Sequence, residues 1–194
     1  MFTGIIQDTG LVTGVTRAGD DLTLVINSPL LSRMGVGGSV AINGTCLTAV
    51  AVNGDSIEVN AIGETLARTS MGGVNEGDRV NLELPMTPDS MFDGHIVQGH
   101  VDGVATVRSI ADEGESIRIS VDAKPEVMRY LVEKGSVTID GISLTVAGLD
   151  EEGFEVAIIP HTREVTTLGS IQAGDKVNIE VDVLAKYVER LLQK

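Results

Sequence analysis

Short stretches of alternating apolar and polar residues recur along the whole chain. Residues 22–26, 56–59, 80–84, 116–120 and 177–181 alternate or are rich in β-branched side chains, and Gly, Asn and Asp bound them. That is the pattern of short strands with one buried face. Asn53-Gly54-Asp55 and Glu151-Glu152-Gly153 sit at matching places between such stretches and predict hairpin turns. Residues 29–34 and 125–131 predict two short helical pieces, each with a proline suited to the first turn. About six short strands per half, spaced by roughly 8–12 residues, predict an all-β chain of two small closed barrels, for which Greek-key connectivity is expected. Residues 84–94, with Pro85, Pro88 and several Asp, Ser and Gly, predict a linker. From Asp182 the period changes. Leu184, Tyr187/Val188 and Leu191/Leu192 recur at helical spacing, with Asp182 placed to cap the helix. This helix either covers its own barrel or packs against another subunit, and oligomerisation through it is expected.

The two halves repeat each other. Ser39-Val-Ala-Ile-Asn-Gly-Thr-Cys-Leu-Thr48 returns as Ser136-Val-Thr-Ile-Asp-Gly-Ile-Ser-Leu-Thr145, and the block Gly77–Glu83 returns as Gly174–Glu180. Thr65 and Thr69 return as Thr162 and Thr166. The spacing between the blocks is the same in both copies (78 − 39 = 39 and 175 − 136 = 39), so both copies fold alike and offer related pockets. The expected division is residues 1–95, 96–181 and a terminal helix over 182–194. Two related pockets suit a protein that brings two copies of one small molecule together.

Composition narrows the chemistry. The net charge of −14 repels polyanions, and three Phe, two Tyr and no Trp supply no stacking platform for bases. No apolar run approaches the ~20 residues that span a bilayer, and no signal peptide is visible. The single cysteine, Cys46, excludes an internal disulfide. Nucleic-acid and membrane partners are therefore not expected, and the cytoplasm is. His95, His100 and His161 with Cys46 have no zinc spacing, and the glycines at 35, 37 and 38 complete neither a dinucleotide fingerprint nor a phosphate loop.

What remains is the set of polar positions at which the copies differ. Cys46 aligns with Ser143, each followed by Leu and Thr. Either a ligand-contacting atom or a buried small side chain fits there. Gly4 aligns with Gly99, and the following residues are Ile5 and His100, of which only the histidine moves a proton near neutral pH. A lone histidine in a glycine-rich loop is, however, more often structural or exposed than catalytic. Lys134 reads as a ligand-reaching group or as an exposed strand-end lysine.

Several motifs are together distinctive: Met1-Phe2-Thr3-Gly4-Ile5, NGTCLT (43–48) with DGISLT (140–145), GHIVQGH (94–100), TTLG (166–169) and DVLAKYVERLL (182–192). With both repeats complete, the chain resembles the alpha-type riboflavin synthases with tandem lumazine-binding repeats. The resemblance implies two six-stranded barrels and a trimer held by C-terminal helices. It also implies a transferase reaction without cofactor or metal, in which two molecules of 6,7-dimethyl-8-ribityllumazine exchange a four-carbon unit. The products are riboflavin and 5-amino-6-(ribitylamino)uracil, and each reacting pair is shared between neighbouring subunits. Lumazine synthase is left open as a further partner.

Carried over residue by residue, the resemblance places the first barrel's contacts at Gly4, Ile5 and Ile6, at Cys46, Leu47 and Thr48, and at Asn60, Ala61, Ile62, Gly63, Glu64 and Thr65. The second barrel's contacts fall at Gly99, His100 and Val101, at Ser143, Leu144 and Thr145, and at Ala157, Ile158, Ile159, Pro160, His161 and Thr162. Lys134 is implied to reach a ligand shared between subunits. His100, Ser143, Thr145 and Cys46 are the implied proton handlers, with Phe2 packed near the acceptor ring. Asp182 is either a supporting group from a partner chain or only a helix cap, and Ser39 is a weaker ligand contact. The same repeats also build non-catalytic lumazine-carrying antenna proteins, in which the second barrel's polar set is degraded. Here His100, Ser143 and Thr145 are present, which favours the enzyme.

Overall fold

Residues 1–193 are described by a computed structural model; Lys194, the last residue of the expected terminal segment, lies outside them. The first half forms β1 (Asp8–Ala18), β2 (Asp21–Asn27), β3 (Ser39–Ile42), β4 (Thr45–Asn53), β5 (Ser56–Ala61) and β6 (Arg79–Glu83). These close into an antiparallel barrel in the order β1-β2-β5-β4-β3-β6. The second half repeats the plan with β7 (Gly103–Glu113), β8 (Ser116–Asp122), β9 (Ser136–Ile139), β10 (Ile142–Leu149), β11 (Gly153–Ile158) and β12 (Lys176–Val181). The adjacency of β2 with β5 and of β3 with β6 is the expected Greek-key connectivity.

Alternation sets the inside of each barrel. Val12, Leu24, Ile26, Val40, Val59 and Leu82 fill the first core, and Val107, Ile119, Val121, Val137, Val156 and Ile179 fill the second. Register shifts at Val12/Gly14 and Ala49/Ala51 are matched at Val107/Ser109 and Val146/Gly148. Such bulges supply the sharp bends that small barrels need to close. Residues 29–33 form a single 3-10 turn, and the second predicted helical piece is only the short α2 (Pro125–Met128). Two helices not foreseen in the sequence, α1 (Gly63–Arg68) and α3 (Pro160–Val165), start without a side-chain cap.

The barrels meet across an approximate twofold axis. Gly44 and Gly141 lie back to back with positive φ, and a Cβ on Gly44 would stand 2.6 Å from the Gly141 nitrogen. Only glycine fits both the backbone conformation and the approach. Asn81 and Asn178 lace the seam: their amides donate to the Asp140 and Asn43 carbonyls across it (3.0 and 2.8 Å). Their side-chain oxygens accept from Thr167 and Ser70 N–H (2.9 and 2.7 Å).

The helix α4 (Val183–Leu192) follows β12, with the Asp182 carboxylate accepting from Leu184 N–H at 2.9 Å. It is tied to its own barrel mainly by polar contacts: Lys186 with Asp102 at 2.7 Å, and Glu189 with Arg129 and with the Tyr130 hydroxyl. Within this helix only Val183 is buried, while Leu184, Tyr187, Val188, Leu191 and Leu192 stay exposed. No described helix is long and apolar enough to cross a membrane.

Candidate active site

The segments that lead into the two barrels cross at the axis. Phe2 pairs with Val97 through two backbone hydrogen bonds (2.7 and 3.2 Å), and Phe2, Val97 and Ala41 form a small buried cluster against which Cys46 packs. Beyond this crossing each lead-in reaches the opposite barrel. The Gly4 carbonyl accepts from Ser143 N–H at 2.7 Å, and the Gly99 carbonyl accepts from Cys46 N–H at 2.9 Å. Both glycines have positive φ, and a Cβ on either would lie 2.6 Å from the Cβ of its partner.

This crossing corrects the expected grouping. Gly4 belongs with Ser143 of the second barrel, and Ile6 packs against the second core. Gly99 and His100 belong with Cys46 of the first barrel. Two surfaces result. One joins Cys46 and Thr48 on β4, the end of β5 with α1, and the 99–100 segment. The other joins Ser143 and Thr145 on β10, the end of β11 with α3, and the 4–5 segment.

Alternation along β4 and β10 decides which side chains face these surfaces. Thr48 and Thr145 are exposed, and Cys46, Ser143 and Leu144 are half-buried. Leu47, Ala61 and Ile158 instead turn into the cores, so only their backbone remains to meet a ligand. Asn60, Ile62 and Glu64 are exposed with Gly63 and Thr65 half-buried; Ala157, Ile159, Pro160 and His161 are exposed with Thr162 half-buried. The β4–β5 and β10–β11 ladders stop at Ala49↔Val59 and Val146↔Val156, so the strand ends bearing these residues are not tied to each other. Ile5, His100 and Lys134 are exposed, with Lys134 held at φ 65° and its N–H on the Val146 carbonyl. Val101 and Ser39 are half-buried. Phe2 is 0% exposed: it braces the crossing and is not open to a ring.

The second surface also holds a residue of the GHIVQGH block to which the sequence assigned no role. His95 is buried, and its Nδ1 lies 2.8 Å from the Ser143 hydroxyl. Among the described residues its Nε2 has no hydrogen-bond partner. Burial pushes the imidazole below its ordinary value, and the nearby Asp182 carboxylate opposes this, so the ring is neutral near pH 7. Asp182 is thus both a helix cap and a charge acting on His95. Met1 aligns with Ile96, so His95 falls just ahead of the shared repeat and has no counterpart to draw attention to it. On the first surface, burial pushes the Cys46 thiol upward, partly offset by a hydrogen bond with Ser39. A cavity of about 590 Å³ lies instead in the seam beside Asn43, Ser70, Asp140 and Thr167 and includes none of these residues. Both candidate surfaces are open rather than enclosed.

The lumazine binding domain family matches the chain twice, over residues 3–85 and 98–182. A riboflavin synthase of Mycobacterium tuberculosis is 49% identical over 200 residues, spanning 100% of this chain and 98% of its own length. The riboflavin synthase of Bacillus subtilis is 39% identical over 195 residues, spanning 100% and 91%. Among solved structures, LumP complexed with 6,7-dimethyl-8-(1'-D-ribityl) lumazine superposes with a TM-score of 0.85 at 24% identity, covering 93% of this chain and 99% of LumP. LumP complexed with riboflavin gives 0.87 at 23% over the same shares. At that identity the LumP likeness speaks for the double-barrel fold alone. The two family matches and the full-length relatives go further: the chain belongs to the riboflavin synthase family, built from two lumazine-binding domains in tandem.

Proposed function

We propose that this chain is a riboflavin synthase that dismutates two molecules of 6,7-dimethyl-8-ribityllumazine, passing a four-carbon unit between them to give riboflavin and 5-amino-6-(ribitylamino)uracil. The observation that carries this reading is the hydrogen-bonded His95–Ser143 pair on one of two matched surfaces. The reaction needs a proton removed from the C7 methyl of one lumazine, whose carbanion delocalises into the ring. A neutral His95 suits that proton transfer. Ser143 passes its hydroxyl proton to Nδ1 as it takes one from the methyl, and Asp182 stabilises the imidazolium that results. The first surface, with Cys46, Thr48 and His100, holds the second molecule, and Lys134, Thr145 and the ends of β5 and β11 orient the two rings. Holding both face to face makes the encounter effectively intramolecular, an effect of about 7–11 kcal/mol in favourable cases.

One chain presents its two surfaces openly, and the exposed apolar face of α4 supports assembly into a trimer that sets the first surface of one chain against the second surface of its neighbour. On this reading residues 1–95 and 96–181 are the paired binding units, 182–194 is the assembly segment, and the chain works in the cytoplasm.

Purified protein given the lumazine alone is expected to form one riboflavin for every two lumazines consumed, followed by absorbance. Tight fluorescent binding without product would instead assign the chain to the antenna class. Ser143→Ala and His95→Ala should each lower kcat about tenfold or more, and the double variant should be no worse than the poorer single, a coupling of about 1–3 kcal/mol. Additive losses would show that the two side chains do not act as a unit.

A further inference from the structure

Two glutamates occupy equivalent places at the ends of β6 and β12, and both are buried at 2% exposure. Among the described residues neither is joined to a cation in an ion pair. Each instead receives a set of hydrogen bonds from a lead-in segment. Glu83 Oε1 accepts from Thr3 N–H (2.6 Å) and from the Thr3 hydroxyl (2.8 Å), and Oε2 accepts from Gly4 N–H (2.9 Å). Glu180 Oε1 accepts from Gln98 N–H (2.7 Å), and Oε2 accepts from Gly99 N–H (2.9 Å) and His100 N–H (3.0 Å). Every donor belongs to the segment whose next contact is with the opposite barrel. Burying a carboxylate among apolar strands is costly unless both oxygens are satisfied, and here three donors satisfy each one.

We propose that Glu83 and Glu180 are positioning residues for the reaction: each anchors, through its carboxylate, the lead-in that completes the other barrel's ligand surface. This rests on the functional reading above. Glu180 of the second barrel fixes His100 and Gly99 over Cys46 of the first. Glu83 of the first barrel fixes Thr3 and Gly4 against Ser143 of the second, with Ile5 N–H held in turn by the Thr3 hydroxyl. The two surfaces are cross-tied within one chain, so neither barrel builds a complete surface from its own strands. A glutamine cannot replace either residue, because its NH₂ would face N–H donors where an acceptor is required.

The full-length chain supplies the test, with Cys46 as the only thiol. In the wild type, slowed labelling of Cys46 in the presence of the lumazine checks the functional reading by itself. Glu180→Gln is expected to speed amide exchange of residues 98–100, and labelling of Cys46, by about tenfold or more, the effect of losing one or more charge-assisted hydrogen bonds. Exchange at residues 3–4 should rise much less. Glu83→Gln should reverse the exchange pattern, and both variants should lose about tenfold or more in kcat/KM while still unfolding cooperatively. Wild-type kinetics in both variants, or equal loosening of both lead-ins by either substitution, would overturn the proposal. If a variant does not fold, the wild-type amides decide: Thr3, Gly4, Gly99 and His100 must exchange far more slowly than the exposed residues 89–93. A wild type that neither turns over the lumazine nor is protected by it would remove the functional reading, while the exchange pattern would still decide the anchoring.

Discussion

Phe2→Ala is expected to lower turnover by more than about a hundredfold, beyond what its loss of stability explains. The side chain is fully buried beside Ala41, Val97 and Cys46, and its backbone makes both hydrogen bonds of the bridge to Val97. Truncating a buried Phe to Ala costs about 3–5 kcal/mol when the cavity does not collapse. Here the lost packing falls on the crossing itself. Thr3 and Gly4 follow directly, so the contact to Ser143 loosens. Val97 precedes Gln98 and Gly99, so the contact to Cys46 loosens with it. One substitution therefore disturbs both surfaces, whereas Ser143→Ala removes one group from one of them. A displacement of about 1 Å at a reacting pair is enough to cost on the order of a hundredfold in rate. The check is kcat measured well below the unfolding midpoint, alongside urea unfolding of the same sample. Turnover that falls only in proportion to the unfolded fraction would make Phe2 an ordinary core residue. Phe2→Leu, which refills much of the volume, should recover most of the activity.

The barrels were legible because the repeat and the alternation of β2, β5, β6, β8 and β12 are local properties of the chain. β1 and β7 were harder to see: Gly10, Gly14 and a bulge interrupt the first, and the outer end of the second is polar and exposed. The helices α1 and α3 are six residues long and start from Ile62 and Ile159 without a capping side chain, so no sequence signal marks them. The crossing of the lead-ins was invisible for a different reason. A repeat states that two segments are equivalent, but equivalence is preserved whether each serves its own barrel or the other's. Gly4 and Gly99 were found; their partners were not. Glu83 and Glu180 did carry a signal, an identical carboxylate ending the matched Val-Asn-Leu-Glu and Val-Asn-Ile-Glu runs. A residue common to both copies is accounted for by their shared fold, so the repeat itself masks that signal. His95 belongs to the distinctive GHIVQGH block, but it lies outside the repeated stretch and gains its role only from Ser143, 48 positions away.

A charged departure from the seam's symmetry gives the second large effect: Asp140→Asn should stabilise the protein above neutral pH and leave it unchanged in acid. Asn43 and Asp140 occupy equivalent turns, both with positive φ (44° and 46°). Each side chain accepts the backbone N–H of the seam asparagine in its own half: Asn43 from Asn81 at 2.7 Å and Asp140 from Asn178 at 2.8 Å. The first copy thus demonstrates that an amide fits where the second carries an acid. Burial pushes the Asp140 carboxyl up to about 7, the Asn178 N–H opposing and the Asp175 charge adding to the rise. Asp78, Arg79 and Lys176 line the same cavity; Arg79 is hydrogen-bonded to Thr9 and Lys176 to Thr106.

Because the folded state holds this proton more tightly than the unfolded chain does, Asp140 favours folding most at low pH. That contribution is lost as pH rises from about 4, the unfolded value, through about 7, the folded one. A difference of about three pKa units sets a ceiling on the order of 4 kcal/mol. The quantity to measure is the difference in unfolding free energy between Asp140→Asn and wild type from about pH 4 to about pH 8.5, which cancels the carboxylates that both proteins share. It should grow across that window and level off above about pH 7. Asn43→Asp should produce the mirror image, a protein that weakens over the same pH range. A flat difference curve would mean that Asp140 is already ionised in the folded protein, with the seam supplying enough polarity to hold its charge.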